Sequence, residues 1–156
     1  NYKRYFPADK GASILDIGKT MINKEVELLE GVEQVLQQLS KKYKLIVATK
    51  GDLLDQERKL EKSGLLDYFH HIEVLSDKKE ANYSKLLNHL DIKPSEFLMI
   101  GNSLKSDILP LINIKASAIH VPFHTTWLHE QVDVNNNQSK QYKTIKSLLD
   151  LPKLLQ

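Results

Sequence analysis

The segment FLMIGNSLKSD, from Phe97 to Asp107, sets an amide, a hydroxyl and a carboxylate close together behind a run of four apolar residues. Such a run reads as a buried parallel strand, and the apolar positions that follow (Leu104, Ile108, Leu111, Ile112) have helical spacing. Open α/β sheets place their ligands at this kind of strand end. Two other predicted strands end in polar groups of a different kind. LIVATKG ends in Thr49, Lys50 and Gly51, and HIEVLSDKK leads to Lys78. Hydroxyl, lysine and carboxylate, in that order along the chain, suit a phosphoryl group. Thr49 and the backbone N–H groups through Lys50 and Gly51 can bind phosphate oxygens, and Lys78 adds a point charge. The oxygens of Asn102 and Asp107 can hold Mg²⁺ with its waters. Each residue also has a plainer use. Thr49, Asn102 and Ser103 can cap helices, Lys78 can be a solvated charge, and Asp107 can be a first-turn acid favoured by the helix dipole.

These groups meet only if the elements bring them to one edge. Val32, Val35, Leu36 and Leu39 mark a helix behind Gly31. Leu45 to Ala48 is a short strand, and Asp52 caps a polar helix that stops near Ser63-Gly64. His71 to Leu75 is a second strand, and Tyr83, Leu86, Leu87 and Leu90 form the next helical stripe. After the Phe97 strand, ASAIHV (Ala116 to Val121) reads as a last strand and Tyr142 to Leu149 as a closing helix. The Asn-rich VDVNNNQSKQ between them is a polar loop. Alternation of this kind predicts an α/β fold, a Rossmann-like three-layer core in which parallel strands share a carboxyl edge.

Composition limits the alternatives. The 156 residues carry 22 Lys plus Arg against 20 Asp plus Glu, a net charge of +2 that gives no case for nucleic acid. No apolar run approaches a membrane span. Cysteine is absent, which removes disulfides and thiolate metal sites and makes the cytoplasm the expected location. No Gly-x-Gly-x-x-Gly follows a strand, against a dinucleotide-binding domain.

Taken as an ordered set, these motifs resemble the haloacid dehalogenase (HAD) superfamily, mostly Mg²⁺-dependent phosphatases. VATKG is similar to its second motif, and SGLLDYFHHIEVLSDKKEANY, with Lys78 five residues before Tyr83, to its third. MIGNSLKSDI is similar to its fourth, usually Gly-Asp-Ser-x-x-x-Asp. The resemblance covers Val26 to Glu130 and includes TWLHE, a feature of some members. It implies a phosphate-monoester hydrolase acting through an aspartyl phosphate on a small phosphorylated substrate. Thr49 and Lys78 would be catalytic, Thr49, Lys50, Gly51 and Lys78 phosphate-binding, and Asn102 and Asp107 ligands of Mg²⁺.

Two positions depart from the family pattern. Asn102 stands where an Asp usually binds the metal, so metal affinity should fall. No Asp-x-Asp nucleophile motif is visible either. ILDIGKT offers Asp16, but Gly18 stands where the acid–base belongs. Ile14 to Met21 is therefore expected as a helix, residues 1–25 as the remnant of a helical cap, and 26–156 as a core that needs a nucleophile strand from outside the chain. Alternatives are a haloacid dehalogenase and a non-catalytic binding module of the same fold. His124, Trp127 and His129, like His70 and His71, are expected to serve packing or loop hydrogen bonds, since no third metal ligand accompanies them.

Overall fold

The computed structural model describes residues 26–123 and 139–155. Five strands and five α-helices organise them. Helix α1 (Val32–Leu39) precedes β1 (Ile46–Lys50), which α2 (Leu53–Ser63) links to β2 (His71–Leu75). Helix α3 (Glu80–His89) leads to β3 (Leu98–Gly101), α4 (Leu109–Asn113) to β4 (Ser117–His120), and β5 (Lys143–Thr144) is followed by α5 (Leu151–Leu154). All pairings are parallel: β1 with β2, and β3 with β4 and β4 with β5.

Alternation along the strands divides the core into two faces, as a sheet covered on both sides requires. On one side Met99 and Ala118 pack with Tyr83 and Leu86 of α3 and Leu111 and Ile112 of α4. On the other, Ile119, with Leu98 and Ile100 against it, packs with Val35 and Leu39 of α1 and Leu151 of α5. The three layers expected from the sequence are thus present. Leu75 of β2 and Ala48 of β1 join the first cluster, so both sheets share one core.

The sheets are nevertheless separate. Among the described residues no strand pairs with both β1 and β3, and each keeps one edge without a ladder partner. A buried strand edge left in that state costs about 1–3 kcal/mol per group. Ile14 to Met21, Asp16 among them, lies outside the described residues, as do His124, Trp127, His129 and most of the Asn-rich loop.

Two local expectations need correction. Tyr142 to Leu149 is not a helix. Lys143 and Thr144 form β5, the Ile145 N–H donates to the His120 carbonyl (3.0 Å), and a 3₁₀ turn spans Leu148–Asp150. The open edge of β4 supplies hydrogen-bond partners that outweigh a helical apolar pattern, and Thr144 and Ile145 are β-branched. The segment after β3 is also not a regular α-helix. Leu104–Ile108 forms a widened π-type turn in which the Ile108 N–H reaches Ser103 O at 3.2 Å. Pro110 explains it. The proline has no N–H for the Ser106 carbonyl four residues back, and its ring crowds that carbonyl. The Tyr83 hydroxyl donates to Ser106 O instead, at 3.0 Å. Burial, and then the negative charge of Asp107, push the Tyr83 phenol well above its ordinary range, so it stays a donor.

Tyr83→Phe should therefore cost about 1 kcal/mol, the net worth of one hydrogen bond. Urea unfolding checks this. An unchanged midpoint would show that the Tyr83 hydroxyl does not support the turn.

Candidate functional site

Parallel pairing sets Thr49 beside Val74 and Lys50 beside Leu75, so β1 and β2 end together. Beyond Leu75 the chain turns through Ser76 to Lys79. Asp77 organises this turn. Its carboxylate accepts from the Lys78 N–H (2.9 Å), pairs with Lys79 (2.7 Å) and lies 3.8 Å from Lys50 Nζ. Asn82, in the first turn of α3, donates to the Asp77 carbonyl at 2.7 Å. The Lys79 hydrogen bond above all, with the Lys78 N–H behind it, holds the Asp77 carboxyl below its usual range.

The turn aims Lys78 at the end of β3. Its Nζ lies 2.7 Å from Asp107 Oδ1, and the two side chains are 18% and 7% exposed. Asp107 Oδ2 accepts from the Ser103 N–H at 3.0 Å, and the Ser103 hydroxyl accepts from the Ser106 N–H at 3.0 Å. Ser103 is thus the N-cap of the turn, while Asn102 is exposed and its side chain has no hydrogen bond among the described residues. Gly101 is required by this closeness. A Cβ there would stand 2.5 Å from both Cγ and Oδ2 of Asp107.

The structure therefore joins Lys78 directly to Asp107, and through Asp77 it brings Lys50, and with it the end of Thr49, to the same edge. Thr49 Oγ1 donates to Gln56 Oε1 (3.0 Å), and Gln56 also lies against Gly51, whose φ of 138° suits glycine. Asp52 caps α2 as expected, accepting from the Asp55 N–H. Three participants were not singled out in the sequence: Asp77, Gln56 and His120, whose Nε2 lies 3.1 Å from the Asn102 carbonyl. Asp77 is the acid amid lysines in SDKK and His120 ends a strand, but neither position signals a partner by spacing alone.

Asn102 and Asp107 are hard oxygen donors, the chemistry Mg²⁺ takes. Each Asp107 oxygen retains a lone pair beyond its present hydrogen bond. One carboxylate and one amide would supply only part of a shell, which Mg²⁺ ordinarily completes with water and substrate phosphate. Among the described residues no group of three or more His, Cys, Asp or Glu comes together to hold a metal. No described helix is long and apolar enough to cross a membrane.

Residues 8–115 match the family of haloacid dehalogenase-like hydrolases. The chain is 29% identical, over 135 residues, to the N-acylneuraminate-9-phosphatase of Rattus norvegicus, covering 83% of this chain and 52% of that protein. It thus spans about half the length of the curated relatives it matches. A haloacid dehalogenase-like family hydrolase from Xanthomonas campestris superposes with a TM-score of 0.83 at 30% identity, covering 97% of this chain and 63% of its own. A HAD-hydrolase from Bacillus subtilis, bound to magnesium, shares the fold with a TM-score of 0.73 at 19% identity, over 99% of this chain and 67% of its own.

Lys78→Met should destabilise the protein by roughly 3 kcal/mol, because it leaves the Asp107 charge buried with no cation. Adding Asp107→Asn should recover part of that loss in a urea double-mutant cycle, whereas additivity within about 0.5 kcal/mol would deny the coupling. Asp77 gives a pH prediction. Its depressed carboxyl contributes stability above the unfolded pKa, and that contribution fades as pH falls through the lower folded value. A carbon-13 titration of Asp77 should therefore show a midpoint below that of a free aspartate, and an ordinary midpoint would contradict the lysine contacts.

Proposed function

The chain belongs to the haloacid dehalogenase-like hydrolases, and from that membership we propose that it carries the phosphate-binding half of a phosphate-monoester hydrolase. The observation that carries the proposal is the contact of Lys78 with Asp107, which ties the turn after β2 to the turn after β3 at the edge where β1 ends alongside β2. Phosphatase relatives at the level of sequence support it.

In this reading an aspartate outside the described residues attacks phosphorus. An O–P bond to its carboxylate forms, the ester P–O bond breaks, and the departing alkoxide takes a proton from water. Water then hydrolyses the aspartyl phosphate. Lys78 spends one N–H on Asp107 and has two more, enough for a phosphoryl oxygen and the attacking carboxylate. The Thr49 hydroxyl, now turned to Gln56, rotates to donate to a second phosphoryl oxygen, with the N–H groups of Lys50 and Gly51 beside it. Asn102 and Asp107 would hold Mg²⁺, which when bound offsets the negative charge of the phosphoryl group. A small phosphorylated substrate follows, in the cytoplasm, and the relatives point to a phosphorylated sugar acid as the first compound to try.

Asn102 favours a second reading. Its neutral side chain replaces a carboxylate, which suits either a metal-independent haloacid dehalogenase or a binding module of the same fold.

Steady-state assays of the whole protein separate these readings. A panel of sugar-acid and simple phosphate monoesters and 2-haloacids, with and without Mg²⁺, should show Mg²⁺-stimulated phosphate release alone. Lys78→Met should lower kcat by about 10²–10³, the usual cost of one electrostatic donor at a developing charge. Asn102→Asp should shift the Mg²⁺ requirement to lower concentration. Halide release, or phosphate release indifferent to Lys78, would overturn the proposal.

A further inference from the structure

We infer that His120 is a positioning residue for the Lys78–Asp107 pair, acting through the single peptide unit between Asn102 and Ser103. The inference rests on reading the turn after β3 as part of the site. His120 is the last residue of β4 and the register partner of Gly101, so its ring stands beside the start of that turn. Its Nε2 lies 3.1 Å from the Asn102 carbonyl oxygen. A carbonyl has no proton, so Nε2 must carry one and donate.

The other end of the same peptide is also held. The carbonyl of Asn102 and the N–H of Ser103 belong to one planar unit, and the Ser103 N–H donates to Asp107 Oδ2 at 3.0 Å. His120 grips the oxygen end of this plane and Asp107 the N–H end. Rotating the plane to release one bond breaks the other. The Asp107 carboxylate is thereby oriented with Oδ1 toward Lys78.

His120 is steadied at both its ring and its backbone. Tyr142 meets it edge-on, with centroids 6.3 Å apart and planes at 86°. Its own backbone carbonyl accepts from the Ile145 N–H. The link from β5 through His120 to the turn is continuous. It leaves the Asn102 side chain outward at the carboxyl edge, where a ligand would meet it.

Two substitutions isolate the donor. His120→Phe keeps an aromatic edge for Tyr142 and removes the N–H, whereas His120→Gln removes the ring and keeps an amide N–H. Amide hydrogen exchange followed by NMR needs no substrate, so it reports on His120 even if the phosphatase reading fails. In His120→Phe the Ser103 amide should exchange at least about tenfold faster, while the α3 and β3 amides keep their protection. His120→Gln should restore most of the Ser103 protection. In an active protein, His120→Phe should lower kcat more than it raises KM. Unchanged Ser103 protection in His120→Phe would overturn the inference. So would a uniform loss across β3 and β4, or a Gln variant as exposed as the Phe variant.

Discussion

One ion pair joins what the backbone ladders leave apart. Lys78 follows β2, Asp107 follows β3, and among the described residues those strands belong to different sheets. At 2.7 Å and mostly out of water, the pair is a strong local restraint, yet its net contribution depends on how completely both ions are hydrogen-bonded. The structure meets that condition at Asp107 and leaves Lys78 with N–H groups to spare. Asp107 has a backbone N–H on its second oxygen, and the turn that carries Lys78 is fixed by Asp77 and Asn82. A lysine placed this way is half neutralised but not consumed, which is what a site needs if its cation is to hold an anion without collapsing onto it.

The surrounding chain accommodates the pair at identifiable positions. Gly101 yields the space of a side chain to the Asp107 carboxylate. Pro110 widens the turn by withdrawing a donor, and Tyr83, fully buried, restores one from α3. Lys78 itself is thus five positions before Tyr83, the residue that braces the turn carrying Asp107. A single loop and helix therefore set both halves of the contact.

Much of this was legible in the sequence. The strands of LIVATKG, HIEVL and FLMIG announce themselves by apolar runs, and Asp52, Ser103 and Gly64 by their capping chemistry. All sit where those patterns place them. Thr49, Lys78 and Asp107 could be nominated because strand ends in a parallel sheet share an edge. The β5 strand was not legible, because two residues carry no periodicity and pair only because β4 offers a free edge. The widened turn was hidden for a similar reason. Apolar spacing at Leu104, Ile108 and Leu111 fits a helix whether or not a proline interrupts its hydrogen bonds. Asp77, Gln56 and His120 act through contacts that depend on loop geometry, which residue type does not encode.

The central claim is that Thr49 to Gly51, Lys78 and the turn at Ser103 form one anion-binding corner. Titrating the nitrogen-15-labelled protein with inorganic phosphate tests it most directly. The amides of Thr49, Lys50, Gly51, Lys78 and Ser103 should shift together along one saturation curve, with the response abolished in Lys78→Met. Saturable shifts confined to other residues, or separate curves for Thr49–Gly51 and Lys78, would contradict the account.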